Sequence, residues 1–596
     1  MQTFYRQKID LYEDAVRKSK KRLNLTALGR MVSFLASGIF LYLYFTSFYK
    51  GYLLWGLLFF MLFLALLRIS LILRDKLLLT QKLHFINQNE LSILQGEANQ
   101  FDDGKSFQAG ERWQDDLDIF GLFSLFHFLN RTTTRPGSRR LAVLLSNPPT
   151  SAGVIWQSQE AVKVLASQRE SAQLLTAHGL LAENDPADIS DISDWLRSPT
   201  RLINLSWLKI LRLVIPAAAL ASLFFWISSG NYIPMIIAIV ANWILIRYFK
   251  TSIAIEHALI GKKQPMLNQY VSILNIFLSI DTGSSSRLKE LNQISTTAKK
   301  EIYKLSQLAS FFDQRLNMLV NLLLNSLLAY DIQCILALEK WKESNKTKCS
   351  EWLTCIGEIE SLNSLAVFAF NHPGACYPLL SEDQLVLEAT ALAHPLIPEK
   401  ERVANNFSIG KKDHIHLITG SNMSGKTTFL RTIAVNLLLA QSGSPVVASY
   451  FYFSPLQILS SLRTQDSLHE HSSYFLAELK KLQHIIQSLD ENRKSIVLID
   501  EILKGTNSED KTNGSEQFIL KLLKYNCLGI FATHDLALSK MEGEFSGRIS
   551  NYCFESQIVD GKLLFDYTLK MGVAKNKNAT FLMEKMGIIE TTSHLK

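Results

Sequence analysis

Nineteen consecutive residues, Met31 to Tyr49, carry no charge. Crossing a hydrocarbon layer of ~30 Å takes about 20 helical residues. This stretch therefore restricts the start of the chain to a membrane span or a deeply buried helix. After Lys50 and Gly51 a second apolar run, Tyr52 to Leu67, ends at Arg68. Another pair stands later, Leu213 to Ser229 and Tyr232 to Ile246, separated only by Gly230 and Asn231. The three shorter runs reach spanning length when Arg68, Arg212 and Arg247 extend to the headgroups, as long basic side chains do. Tyr49, Tyr52, Tyr232 and Tyr248 stand near the ends, where interfacial aromatics sit. The runs read as two transmembrane helical hairpins; the competing reading is hairpins buried inside a large soluble helical domain. A secretory leader fits poorly, because the first run starts at residue 31 and leads straight into another.

Basic residues orient the hairpins. The first thirty positions hold Arg6, Lys8, Arg17, Lys18, Lys20, Lys21, Arg22 and Arg30, whereas the first turn has only Lys50 and the second none. Arg74, Lys76, Lys82, Lys250, Lys262 and Lys263 follow the hairpins. By the positive-inside rule both turns face outward. The N-terminus and the remainder are then cytoplasmic, in a multi-pass protein of the cell (inner) membrane.

At 596 residues the chain exceeds one core. Its 47% apolar and 19% charged residues exclude a disordered chain or a small disulfide scaffold. Lys and Arg exceed Asp and Glu by 62 to 54, which permits an anionic partner without demanding one. The six cysteines show no metal spacing and read as reduced thiols. Five parts are expected: a basic helix and first hairpin over 1–75, helical core over 76–200, second hairpin over 201–250, helical core again over 251–375, and an α/β nucleotide-binding domain over 376–596. Strands are predicted at His414 to Thr419, Ser495 to Ile499 and Leu528 to Thr533.

The first of these strands runs into Gly420-Ser421-Asn422-Met423-Ser424-Gly425-Lys426-Thr427-Thr428 and then a helical pattern. Glycines here let backbone N–H groups curl around phosphates at a helix N-terminus. Lys426 neutralises the β/γ oxygens and the Thr427 hydroxyl is placed to ligate Mg²⁺. The second strand ends in Asp500 and Glu501, the one suited to the Mg²⁺ shell and the other to polarising an attacking water. The third ends at Thr533-His534-Asp535, where His534 can sense the γ-phosphate.

These parts resemble the MutS family of ABC-type ATPases. Ser421 to Lys426, with its Asn-Met pair, looks like that family's P-loop, and Ala393-His394-Pro395-Leu396-Ile397 like the element opening its ATPase domain. Ser473 to Leu479 resembles the segment whose serine reaches the partner's γ-phosphate. Asp500 to Ile502 with Gly505 to Ser508, and Tyr567 to Ala574 with Asn578-Ala579, are similar to its later motifs. Phe128 to Thr134, Gly137, Arg139, Leu141, Pro148 and Gln159 to Val162 look like the start of its core (lever) domain. The likeness is fullest over 390–585 and thinner over 115–170 and 255–370.

The resemblance implies an α-helical lever domain with a C-terminal α/β P-loop ATPase, ATP and Mg²⁺ as ligands, and a homodimer. Each site would combine Gly420 to Thr428, Asp500, Glu501, His534 and Tyr567 with the partner copy's residue at position 473. The chain departs from the family in several respects, among them the second hairpin, which interrupts the helical core. No Phe-x-Glu mismatch wedge is found, Arg402 stands where an aromatic stacks on adenine, and Leu468 to His471 lacks a usual glycine. The resulting expectation is a membrane-anchored MutS-like ATPase switch, with DNA an unproven partner that Arg131, Arg135, Arg139 and Arg140 would meet. A solvated helix start is the competing reading of those arginines. The alternative function is a DNA-independent membrane-signalling or membrane-remodelling ATPase.

Overall fold

The structure is a computed structural model describing residues 1–108, 112–182, 192–462, 474–489, 493–503, 507–559, 562–575 and 589. The basic N-terminal stretch and the first apolar run form one helix, Gln2–Ser47, which ends where Phe48 turns left-handed at φ 52°. The second run opens the Lys50–Leu94 helix. The pair is antiparallel and close: Ser37 Oγ donates to the Gly56 carbonyl at 2.9 Å, which the missing side chain at Gly56 permits. Ser206–Ser229 and Ile233–Tyr248 form the second hairpin around left-handed Gly230. A bend of 65° then leads into Lys250–Ile260.

Among the described residues four helices are long and apolar enough to cross a membrane: Gln2–Ser47, Lys50–Leu94, Ser206–Ser229 and Tyr330–Asn371. The bent pair after Gly230 adds a fifth by the same measure. The last of the four is different in kind, since 72% of its apolar window is buried. It is the axis of the helical core, packed against Arg135–Ser146, Ala152–Ser167 and Ser286–Asp313.

Threonines lock the axis. Glu360 is buried and accepts from the Thr133 N–H (2.8 Å), the Thr133 hydroxyl (2.7 Å) and the Thr134 hydroxyl. Thr134 also caps the Arg135–Ser146 helix by accepting from the Gly137 N–H. A Cβ at Gly137 would collide with the Glu360 carboxylate, so that glycine buys close approach.

One expectation needs correction. Arg131 is only 5% exposed and its guanidinium holds the buried Glu90 carboxylate, with Nη2 to Oε2 at 3.0 Å. Asn371 donates to the same carboxylate at 2.7 Å, and Tyr5 donates to Asn371 at 2.6 Å. Arg131 therefore ties the first hairpin's base to the core and is closed to phosphate. Arg140 lies 3.9 Å from Glu358, leaving Arg135 and Arg139 as the exposed members.

Two sheets build the C-terminal part. The strands are β1 (Leu379–Leu380), β2 (Leu387–Leu392), β3 (Asn405–Ile409), β4 (Ile415–Gly420), β5 (Tyr450–Phe453), β6 (Gln457–Ser461), β7 (Ser495–Asp500), β8 (Cys527–Thr533), β9 (Ile549–Val559) and β10 (Lys562–Met571). The smaller sheet runs β1-β5-β2-β3 and the larger β10-β9-β4-β8-β7-β6. In the larger one only β10 is antiparallel to its neighbour. Every residue of β4 and β8 is buried, as expected of parallel strands covered on both faces. All three strands foreseen from sequence form, within a residue of their expected ends. The six cysteines are free thiols, five of them buried.

Candidate functional site

Parallel pairing brings three strand ends together. Thr419 of β4 is in register with Thr533 of β8, and Asp500 of β7 with Ala532. The loop after β4, the acidic pair after β7 and His534 after β8 thus meet at the carboxyl edge of the sheet, where open α/β sheets bind ligands. They line a cleft of about 430 Å³, a usual size for a small-molecule site.

Two glycines shape its floor. Gly425 takes φ 103° at the N-terminus of the Lys426–Gln441 helix, a conformation that favours glycine, and an added Cβ would press on Tyr567. A Cβ at Gly420 would stand 2.7 Å from the Phe554 carbonyl. The loop can therefore approach its surroundings closely at both ends. Lys426 is nearly buried and donates to the Gly420 and Ser421 carbonyls at 2.7 and 2.9 Å. Buried Ser424 Oγ finds no hydrogen-bond partner among the described residues. A cradle with a folded-back ammonium and an orphan hydroxyl suits phosphate oxygens.

Thr427 Oγ1 donates to Asp500 Oδ2 at 2.5 Å. These are two hard oxygens, the donor set that Mg²⁺ takes when phosphate and water complete its shell. Glu501 sits at φ 58°, as Leu503 does, backbone strain of a kind that collects at functional sites. Its Oε1 lies 3.3 Å from His534 Nε2, which is also 3.5 Å from Lys426 Nζ. Burial, then the Lys426 cation, holds the His534 pKa below its ordinary range. The imidazole is neutral at pH 7.

Above the cradle the cleft is walled by His394, Ile397, Arg402, Val403, Asn405 and Tyr567. Arg402, which stands where an aromatic would stack, and Tyr567 both line this cleft. Burial, reinforced by Arg431, pushes His394 down to about 4, so it too is neutral. Asn405 was missed by the sequence reading. Its Nδ2 donates to the Tyr567 carbonyl (3.0 Å) and its Oδ1 accepts from Leu569 N–H (2.7 Å), clamping the irregular turn of β10 that presents Tyr567. Thr419 does the same for the following segment by accepting from Ala574 N–H at 2.9 Å. No local pattern signals either role. Ser473, Leu468 to His471, Gly505, Thr506, Asn578 and Ala579 lie outside the described residues.

Residues 416–589 match the family model described as MutS domain V. "MutS protein homolog 4" of Mus musculus is 34% identical over 31% of this chain and 20% of its own length. "DNA mismatch repair protein MutS" of Aquifex pyrophilus is 27% identical over 78% of this chain and 58% of its own. The protein of the same name from Clostridium perfringens is 30% identical over 40% and 26%. The chain thus spans between a fifth and three fifths of the length of these curated relatives. The matched region coincides with the domain that holds the cleft, which is thus similar to MutS domain V.

Proposed function

We propose that this protein is a membrane-anchored MutS-like ATPase that binds Mg-ATP in the cleft and closes as a homodimer over it. Hydrolysis to ADP and phosphate would release the closed state, making the pair a nucleotide-driven switch. The observation that carries the reading is the convergence of Lys426, the Thr427–Asp500 pair, Glu501 and His534 on one cleft.

Bound Mg²⁺ would supply charge neutralisation across the β and γ oxygens. Lys426 would leave its loop carbonyls for the phosphates, and Ser424 Oγ would gain a partner. Thr427 and Asp500 would hold the ion's shell. Glu501 orients the attacking water and takes up its proton. His534, neutral and beside Lys426, donates toward the γ position and registers its loss. Tyr567 and Arg402 sandwich the base. Position 473 of the partner copy would complete each site.

The two hairpins are proposed as the anchor, with basic ends on the cytoplasmic side of the cell membrane, and the five-part division of the chain follows from that anchor. DNA remains a partner of the proposal through the family relationship, since two relatives carry mismatch repair in their names. The engagement of Arg131 with Glu90 favours the second reading, a DNA-independent ATPase coupling nucleotide state to the bilayer.

The deciding experiment measures ATP hydrolysis by the detergent-solubilised protein with duplex DNA, with lipid vesicles and with neither, beside Lys426→Ala. Magnesium-dependent turnover lost in the variant is expected. Stimulation by DNA selects the first reading, and stimulation by lipid alone the second. Failure of the intact protein to bind Mg-ATP sinks both.

A further inference from the structure

The Met318–Leu328 helix packs against both helices of the second hairpin and was not foreseen as part of it. Its polarity is inverted. Asn317 is exposed and caps the helix by accepting from the Leu319 and Val320 N–H groups, whereas Asn321, half-buried, and Asn325, fully buried, follow at every fourth position. Asn325 donates to Asn321 at 2.5 Å and accepts from the Asp331 N–H at 2.9 Å; Asn321 donates to the Arg315 carbonyl at 3.0 Å. Met318, Leu319, Leu322 and Leu323 are 83%, 71%, 51% and 61% exposed. The neighbouring helix repeats the arrangement. Asn242 is buried and donates to the Ser326 carbonyl, while Ile237 and Ile244 are each 64% exposed. A helix facing water turns its leucines inward and its amides outward. Amides inside and leucines outside is the arrangement hydrocarbon selects, because polar groups there must find partners within the protein.

We propose that Met318–Leu328 is a third membrane element, embedded in one leaflet beside the second hairpin and covered by lipid acyl chains. At 1.5 Å per residue its 11 residues extend about 16 Å, too short to cross a ~30 Å hydrocarbon core. The segment also returns to the level at which it leaves: Arg315 pairs with Asp331 at 3.3 Å, and Tyr330 Oη donates to the Phe311 carbonyl at 2.6 Å. It carries no charge between those ends. Its last residue joins, through left-handed Ala329, the Tyr330–Asn371 helix, whose far end reaches the ATPase part. The core axis thereby has its own foot in the bilayer. This inference rests on the anchoring proposed above.

The test is nitroxide accessibility in the full-length protein in phosphatidylethanolamine–phosphatidylglycerol nanodiscs, with unsubstituted protein as background. Leu323→Cys and Leu322→Cys report on the segment, Ile227→Cys on the hairpin and Lys346→Cys on water. Labels at 322 and 323 are expected to be reached by oxygen and several-fold less by a water-soluble nickel chelate than the label at 346. If both are as accessible to the chelate as position 346 while 227 is shielded, this inference is overturned and the anchor stands. Chelate access at 227 as well overturns the anchor itself. Spin–spin broadening at 323 between two copies would replace lipid by a dimer contact and likewise overturn the inference.

Discussion

The cleft and the second hairpin solve opposite packing problems with the same residue types. In the C-terminal part the central strands β4 and β8 are buried throughout, and polar groups gather at their ends, in the cleft. Around Ile233–Tyr248 and Met318–Leu328 the amides of Asn242 and Asn325 are interior and many of the branched aliphatics face out. The first arrangement is stable because water surrounds it and can enter the cleft. The second, placed in water, would leave a broad apolar surface uncovered, well beyond what a soluble monomer tolerates. On the anchoring proposed above the two regions face different solvents, and substitutions should obey different rules in each.

The sharpest break in that comparison is at Glu501. Glu501→Gln keeps the shape and the charge-free hydrogen bonding but removes the base. Turnover is expected to fall by about 10²–10⁴-fold, while Mg-ATP binding persists. Equilibrium binding and single-turnover hydrolysis on the same preparation measure both. Near-normal turnover would remove Glu501 from the chemistry and return its left-handed backbone to an unexplained feature.

Next in size is Arg131. As a buried partner of Glu90, its loss strands a carboxylate, so Arg131→Ala should destabilise the core by about 3–5 kcal/mol, seen as a lowered Tm. Arg139→Ala, at an exposed position, should leave Tm unchanged and reads DNA affinity cleanly. A DNA-binding loss in Arg131→Ala with unaltered Tm would reverse the assignment of that side chain.

How much of this was legible depends on how far apart the interacting residues lie in the chain. The cradle is contiguous, Gly420 to Thr428, so its strand, loop and helix could be read directly. Apolar length alone likewise announced both hairpins. Neither reading of Arg131, phosphate contact or solvated helix start, anticipated its burial, because its partners, Glu90 and the Asn371 beside it, are 41 and 240 positions away. Asn405 meets Tyr567 across 162 positions. The Met318–Leu328 helix was hidden for another reason. A period of four marks two faces of a helix but does not say which of them is inside.

Solvent also decides a third effect. Leu220 is 46% exposed near the middle of Ser206–Ser229. On a water-facing surface Leu220→Asp would shift stability by no more than about 0.5 kcal/mol. In hydrocarbon it should cost about 2.5–3.5 kcal/mol, appearing as loss of protein from the carbonate-washed membrane fraction with the ATPase rate per soluble molecule unchanged. Equal membrane retention of the two proteins would place this helix in water.

The smallest expected effect is in acidity. Burial and the nearby Lys426 cation lower the His534 pKa, so the folded protein binds that proton less readily than an unfolded chain does. By linkage the stability contributed by neutral His534 is fully present above the ordinary value of about 6.5 and is lost as pH falls below it. Activity follows the same sign. Protonation would set a second cation beside Lys426 and strengthen the hold on Glu501, the intended base. The acid limb of kcat/KM should therefore lie below pH 6.5 and change in His534→Gln. A limb centred above pH 7 would mean that the imidazole is charged in the working enzyme, with Glu501 rather than Lys426 governing its proton.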